Sequence, residues 1–413
     1  MAPVAAPAPL APAAASGLAA LQRSLMWLIG AGGAIVFIEP SPYEIATLMA
    51  IALFAVTGLR MRPMVLPLIV LLALINIGYS IAAAHLLDDT KIINWILTSW
   101  YMAITAVFFA MAFADDTTAR LDFLCRGYVV GAVIAALAGI AGYFHLVPGG
   151  DDLLTLYSRA RGTFKDPNVL GAFLILPALI ALQRVVVADS LGRALRGALV
   201  LGIIALAILL SFSRAAWGQL VITAAVMLTL MFLTSPSHAQ RARIVLIAAV
   251  AVAFAALLVA VILSLDSVAG LFKERASFDQ SYDTGRFGRF GRHALGFAMA
   301  LDLPLGIGPL QFSKYFPEDT HNSYLNAFMS GGWLAGIAYP ALVATTVLFS
   351  LRNALARVPW QRGYLALLAA FLGTVGESFI IDTDHWRHYF LMLGVMWGLV
   401  AATREWQARQ GRQ

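Results

Sequence analysis

Long apolar stretches separated by short polar ones run from residue 24 to residue 404. A helix needs about 20 mostly apolar residues to cross the hydrocarbon of a bilayer. Runs of that kind lie near 24–38, 43–59, 63–85, 92–113, 123–146, 168–187, 196–212, 214–234, 243–265, 326–350, 363–381 and 387–404. The first and seventh are short enough to lie tilted or partly re-entrant. Backbone groups in lipid must satisfy one another inside the segment, so these runs predict helices. The pattern therefore predicts an all-α, polytopic integral membrane protein with about twelve transmembrane helices. One polar stretch is long, 266–326, and such loops are functional or disordered as a rule. Within it, RHALGFAMALDL predicts a short helix ended by Pro304, and PLGIGP a tight turn.

Composition agrees with this reading. Of 413 residues, 61% are hydrophobic and 12% charged, against about 25% charged in a soluble domain. The single cysteine, Cys125, excludes an intrachain disulfide and a thiolate metal cluster. Residues 1–20 are Ala/Pro-rich, and repeated proline opposes a helix, so a disordered tail is expected there. The first basic side chain is Arg23, too late for the basic region of a signal peptide. The first span then reads as an uncleaved anchor. The domain plan is a tail over 1–20, one transmembrane domain over 21–404 with 266–326 as its long external loop, and a second tail over 405–413.

Orientation follows from Lys and Arg, which concentrate on the cytoplasmic side. With the N-terminus inside, cytoplasmic segments hold Arg23; Arg60 and Arg62; Arg120 and Arg126; Arg184, Arg193 and Arg196. They continue with Arg241 and Arg243; Arg352, Arg357 and Arg362; and Arg404, Arg409 and Arg412. Both termini are then cytoplasmic. Basic residues on the opposite side gather mainly in three groups: Arg159, Arg161 and Lys165; Arg214; and Lys273, Arg275, Arg286, Arg289, Arg292 and Lys314.

Those groups are the candidates for chemistry. In SFSRAAWGQL a turn at 211–213 leads into a helix beginning at Arg214, with Ser213 as its N-cap. A cation in a first helical turn is electrostatically misplaced unless an anion sits there too. The competing reading is an arginine reaching the lipid headgroups. Arg286, Arg289 and Arg292 recur every third residue, one stripe of a helix. The stripe suits a ligand with several phosphate oxygens, or equally an anionic lipid surface. His321 has the most polar setting of the seven histidines, among Glu318, Asp319, Thr320, Asn322 and Ser323. It is either a general base or a structural histidine. Asp382, Asp384, His385 and His388 in DTDHWRHYF form a loose metal signal, better read as an interfacial belt with Trp386 and Tyr389. His85 and His145 read as span-end residues. Glu377 lies inside a span, where a carboxyl is costly unless paired or facing a wet cavity.

Taken in order, RGTFKDPNVLGAFL, SFSRAAWGQL, GRFGRHALGFAMALDLPLGIGPLQF and HNSYLNAFMSGGWLAG resemble the O-antigen ligase and polymerase superfamily. The likeness covers roughly 155–350. It implies a metal-independent, inverting, multispanning glycosyltransferase acting at the periplasmic face of the bacterial inner membrane, without a cofactor. The donor would be a glycan on undecaprenyl diphosphate, and the acceptor a hydroxyl of lipid A–core or of another glycan. Membrane lipids are the other partners, and nucleic acid is not. The family's two arginines map onto Arg214 and Arg289, and its loop histidine onto His321. Arg161, Lys165, Arg286, Arg292 and Asn322 are the candidates to hold diphosphate or glycan. The family often has Trp where this chain has His293, and PLGIG is a residue shorter than the common form. A ligase is the leading reading and a polymerase of the same fold the alternative. A lipid-linked-sugar transporter ranks last, because apart from Glu377 the spans carry almost no deep charge and no internal repeat is visible.

Overall fold

The computed structural model describes residues 12–264, 283 and 285–411. Helices occupy every apolar run. They are α1 (Pro12–Gly32), α2 (Pro42–Thr57), α3 (Leu66–Ala82), α4 (Thr90–Ala112) and α5 (Thr117–Tyr143), followed by a single turn, α6 (Asp151–Leu154). Then come α7 (Pro167–Val187), α8 (Leu191–Leu210), α9 (Arg214–Thr234), α10 (His238–Leu263) and the short α11 (Arg289–Leu301). The last three are α12 (Ser323–Asn353), α13 (Gln361–Glu377) and α14 (Arg387–Gln410). Among the described residues seven helices, one of them α3 with the 3₁₀ turn before it, are long and apolar enough to cross a membrane, and α2 is a shorter apolar helix. The chain is an all-α polytopic membrane protein.

Both ends of α1 differ from expectation. α1 begins at Pro12, so 12–20 is helical where a disordered tail was expected. Pro12 is the last of the repeated prolines, proline is tolerated in a first turn, and the alanines behind it are the best helix formers. The same helix stops at Gly32 rather than 38, and the chain turns so that Val36 and Phe37 both donate to the Thr163 carbonyl, at 3.0 and 3.2 Å. The remainder of the expected tail (1–11), the loop stretch 265–282 with Lys273 and Arg275, and Arg412 near the end lie outside the described residues.

The bundle is built around α7, which is buried on nearly every side by α5, α8, α9 and α13. A helix apolar all round belongs in such a place. By contrast, α8 and α9 leave Leu199, Val221 and Ile222 exposed, as lipid-facing surfaces do. Small residues let other helices approach closely. A Cβ at Gly127 in α5 would stand 2.0 Å from the Trp27 carbonyl of α1, and one at Gly78 in α3 would stand 2.7 Å from the Gly331 carbonyl of α12.

Ion pairs sort the connections into two ends. At one end Arg23 meets Asp116, and Arg62 meets both Asp115 and Glu405. At the other, Lys165 meets Glu39 and Arg387 meets Glu44. This second end carries two devices that matter below. After α6, Thr155–Leu156 and Arg159–Ala160 pair as a tiny antiparallel hairpin, turned by Tyr157 and Ser158, both at positive φ. That backbone is the primed turn that suits a two-residue hairpin. In addition, α12 breaks at Gly332 (φ +63°), and the PLGIGP turn docks into the break. Trp333 N–H donates to Pro304 at 2.9 Å, and Ile307 N–H to Met329 at 2.7 Å. The expected short helix is α11, begun three residues early at Arg289.

Candidate functional site

The turn from α8 to α9 is reversed by Phe212 at φ +47°, and Ser213 caps α9 by accepting from the Ala216 N–H. Arg214 therefore occupies the first helical position, at the positive end of the helix dipole. An anion answers it. Asp283 places one carboxylate oxygen 2.6 Å from Arg214 Nη2 and the other 3.4 Å from Arg289 Nε. Asp283 is only 8% exposed, while Arg214 and Arg289 keep 28% and 22% of their surface. The carboxylate thus bridges the two arginines singled out by the motifs.

A third guanidinium joins them. The hairpin delivers Arg159, buried, with Nε 2.7 Å from the Ser211 carbonyl and Nη2 2.7 Å from Asn168 Oδ1. Ser211 closes α8, so this cation sits on the negative end of that helix. Arg159, Arg214 and Arg289 line one cavity of about 280 Å³ together with Asn168, Ser213 and His321. The apolar wall is Phe212, Ile380 and Ile381.

His321 reaches that cavity from a strained turn at φ +46°. Left-handed backbone at a non-glycine residue persists only where the surroundings over-determine it, as at many functional sites. Here Asp382 does so. Its carboxylate accepts from Thr320 Oγ1 at 2.8 Å and from the N–H groups of His321 and Asn322, both at 2.9 Å. From the other side, His293 Nε2 lies 2.9 Å from the Thr320 carbonyl and ties α11 to the turn. Burial lowers the His321 pKa below its ordinary value, and the Arg289 charge pushes the same way against Glu318 and Asp319. The ring is therefore neutral at neutral pH, the form a general base requires.

The other expected contacts stand elsewhere. Arg161 donates to the carbonyls of Asp152, Leu153 and Lys165, and Lys165 pairs with Glu39. Arg292 is buried against Glu318 at 2.6 Å, and Arg286 lies over the Phe287 ring. Asn322 caps α12, accepting from Leu325 N–H at 3.0 Å and donating to the Phe379 carbonyl at 3.1 Å. None of the five lines the cavity. His385 and His388 diverge, the first against Trp95 and the second against Phe173 and Trp386. Among the described residues no three His, Cys, Asp or Glu side chains gather as a metal site. Glu377 is buried at the end of α13, and Gln219, with its amide nitrogen turned inward, donates to it at 3.0 Å.

The O-antigen ligase family model matches residues 198–340. This segment belongs to the O-antigen ligase and polymerase superfamily. No curated protein matches the chain. The matched O-antigen ligase segment contains Arg214, Arg289 and His321, while Arg159 and Asp382 stand outside it. The matched segment is thus similar to proteins of O-antigen ligase or polymerase type, and the apolar helices around it make the chain a membrane protein.

Were His321 to act as a base, its lowered pKa would fix the sign of a pH effect. Activity that needs neutral His321 is present above its pKa and is lost as the pH falls through it. The acid limb of kcat/KM should therefore lie below the ordinary histidine value of 6.5, and His321→Gln should remove the limb along with most of the activity. A limb at or above 6.5 in the wild type contradicts the neutral-base reading.

Proposed function

We propose that this chain is an O-antigen ligase that transfers a glycan from undecaprenyl diphosphate to a lipid A–core hydroxyl. In this reading it has twelve spans, both termini in the cytoplasm, and its site at the periplasmic face of the inner membrane. The observation that carries the proposal is the convergence of three arginines and one neutral histidine on a single cavity at one end of the bundle. A diphosphate leaving group needs fixed positive charge, and an attacking hydroxyl needs a base beside it. The ligase is preferred to the polymerase because the matching family model is described as a ligase.

The donor's diphosphate takes the place between Arg214 and Arg289 that the Asp283 carboxylate holds, with Arg159 on its flank. The acceptor oxygen attacks the anomeric carbon as the bond from that carbon to the phosphate oxygen breaks. The electron pair leaves with undecaprenyl diphosphate, whose growing charge the guanidiniums stabilise. His321 receives the acceptor's proton. Direct displacement inverts the anomeric centre. The cytoplasm-facing arginines support the orientation, and Arg161, Lys165, Arg286, Arg292 and Asn322 hold the loops that present the cavity.

Two measurements test this. Arg214→Ala and Arg289→Ala should each lose on the order of 3 kcal/mol of transition-state stabilisation, about a hundredfold in rate. Arg214→Lys should stay impaired because it lacks the two-pronged fork. His321→Ala should keep donor binding and lose turnover by about a hundredfold. Loss of donor binding with normal turnover per bound donor would make His321 a binding residue instead. For orientation, a cysteine at 321 in a Cys125→Ala background should react with an impermeant thiol reagent added outside the inner membrane. Labelling only after that membrane is opened contradicts the orientation.

A further inference from the structure

A second cavity, of about 370 Å³, opens on the far side of the His321 turn. Its walls come from the start of α4 (Lys91, Asn94, Trp95, Thr98), from either side of the turn (Asp319, Asn326) and from the link into α14. That link contributes Asp382, Asp384, His385 and Trp386. The chemistry is opposite to that of the first cavity. Three carboxylates face one lysine, where the first cavity gathers three arginines. Both tryptophans are braced: Trp95 packs on His385 at 4.1 Å and edge-on to Tyr79 at 4.8 Å, and Trp386 lies 5.1 Å from His388. Asp384 is buried and accepts from Asn326 Nδ2 at 2.8 Å, which fixes the floor.

Aromatic side chains beside amides, a hydroxyl and carboxylates match a sugar ring, which has apolar C–H faces and a rim of hydroxyls. The field of Asp319 and Asp384 repels phosphate and carboxylate groups, while Asp382, whose pKa burial and the Asp384 charge push up to about 7, adds to it only in part. The turn connects the two cavities directly, because Asp382 lines the second while holding the backbone of His321, which lines the first. We propose that this second cavity is the acceptor's sugar subsite and that it takes neutral or amino sugars while rejecting phosphorylated or acidic ones. The inference rests on the glycosyl-transfer reading above. It places the acceptor's sugar ring here, one backbone turn away from the base that receives the hydroxyl proton.

Saturation-transfer NMR on the whole protein in nanodiscs tests it without turnover. The probes are cellotetraose, chitosan tetraose, trigalacturonate and glucose 6-phosphate, each with and without inorganic diphosphate. Cellotetraose or chitosan tetraose should give a signal that diphosphate leaves intact. Asn94→Ala and Trp386→Leu should each weaken it roughly tenfold, the scale of one lost contact, and Arg214→Gln should not. Asn94 is exposed, so its variant should fold even where that of Trp386 does not. The two anionic probes should give no signal sensitive to Asn94→Ala. The inference is overturned if neither tetraose binds, if diphosphate or Arg214→Gln removes the signal, or if an anionic probe depends on Asn94. If instead diphosphate fails to bind the wild type at all, it is the glycosyl-transfer reading that has failed.

Discussion

A guanidinium at the positive end of a helix is held there against its own electrostatics, and the rest of the site depends on that constraint. Arg214 opens α9, Arg289 opens α11 and Arg159 arrives by the hairpin, so three cations share one small cavity. Such a cluster persists where an anion neutralises it. In this structure Asp283 supplies the anion for two of the three, and the α8 terminus supplies partial negative charge for Arg159. In the proposed reading the donor's diphosphate and the Asp283 carboxylate alternate in one place, each answering the same charges.

The histidine is fixed by a separate set of interactions. Its turn is pinned on one side by Asp382, on the other by His293, and below by Ser323, whose N–H donates to the Ser378 carbonyl at 2.9 Å. The helix that carries His293 is in turn docked through the PLGIGP segment into the break at Gly332. A Cβ at Gly332 would meet the Pro304 carbonyl at 2.2 Å, so the close approach needs glycine. The break in α12 is therefore part of the site, since it sets where Arg289 and His321 stand relative to each other. The matched family segment ends just beyond this break, at residue 340.

The helices were legible because hydropathy alone specifies them, and the ends that shifted did so for local reasons. Alanines after Pro12 outweighed the prolines before it, and Gly32 ended a run that hydropathy carried further. Arg214, Arg289 and His321 were legible as candidates because each sits in a short motif of unusual chemistry, and the structure brings all three together. What could not be read is what folding brings from afar. Asp382 lies 61 residues from the backbone it holds, and Arg159 lies 52 from the carbonyl it meets. The hairpin that aims Arg159 is turned by Tyr157 and Ser158 rather than by the asparagine and glycine that announce such turns. Arg161 and Lys165 looked equivalent to Arg159 in sequence, and their backbone and ion-pair partners are what separate them.

On the proposed function, the Arg214–Arg289 pair is a diphosphate site whose place Asp283 holds in this structure. Calorimetric titration of inorganic diphosphate into the purified protein and its Asp283→Asn variant tests the claim most directly. Removing the competing carboxylate charge while keeping its size should tighten binding roughly tenfold, the scale of one charge-assisted hydrogen bond, and adding Arg214→Gln should abolish the gain. Diphosphate affinity unchanged by Asp283→Asn and by Arg214→Gln alike would contradict the claim.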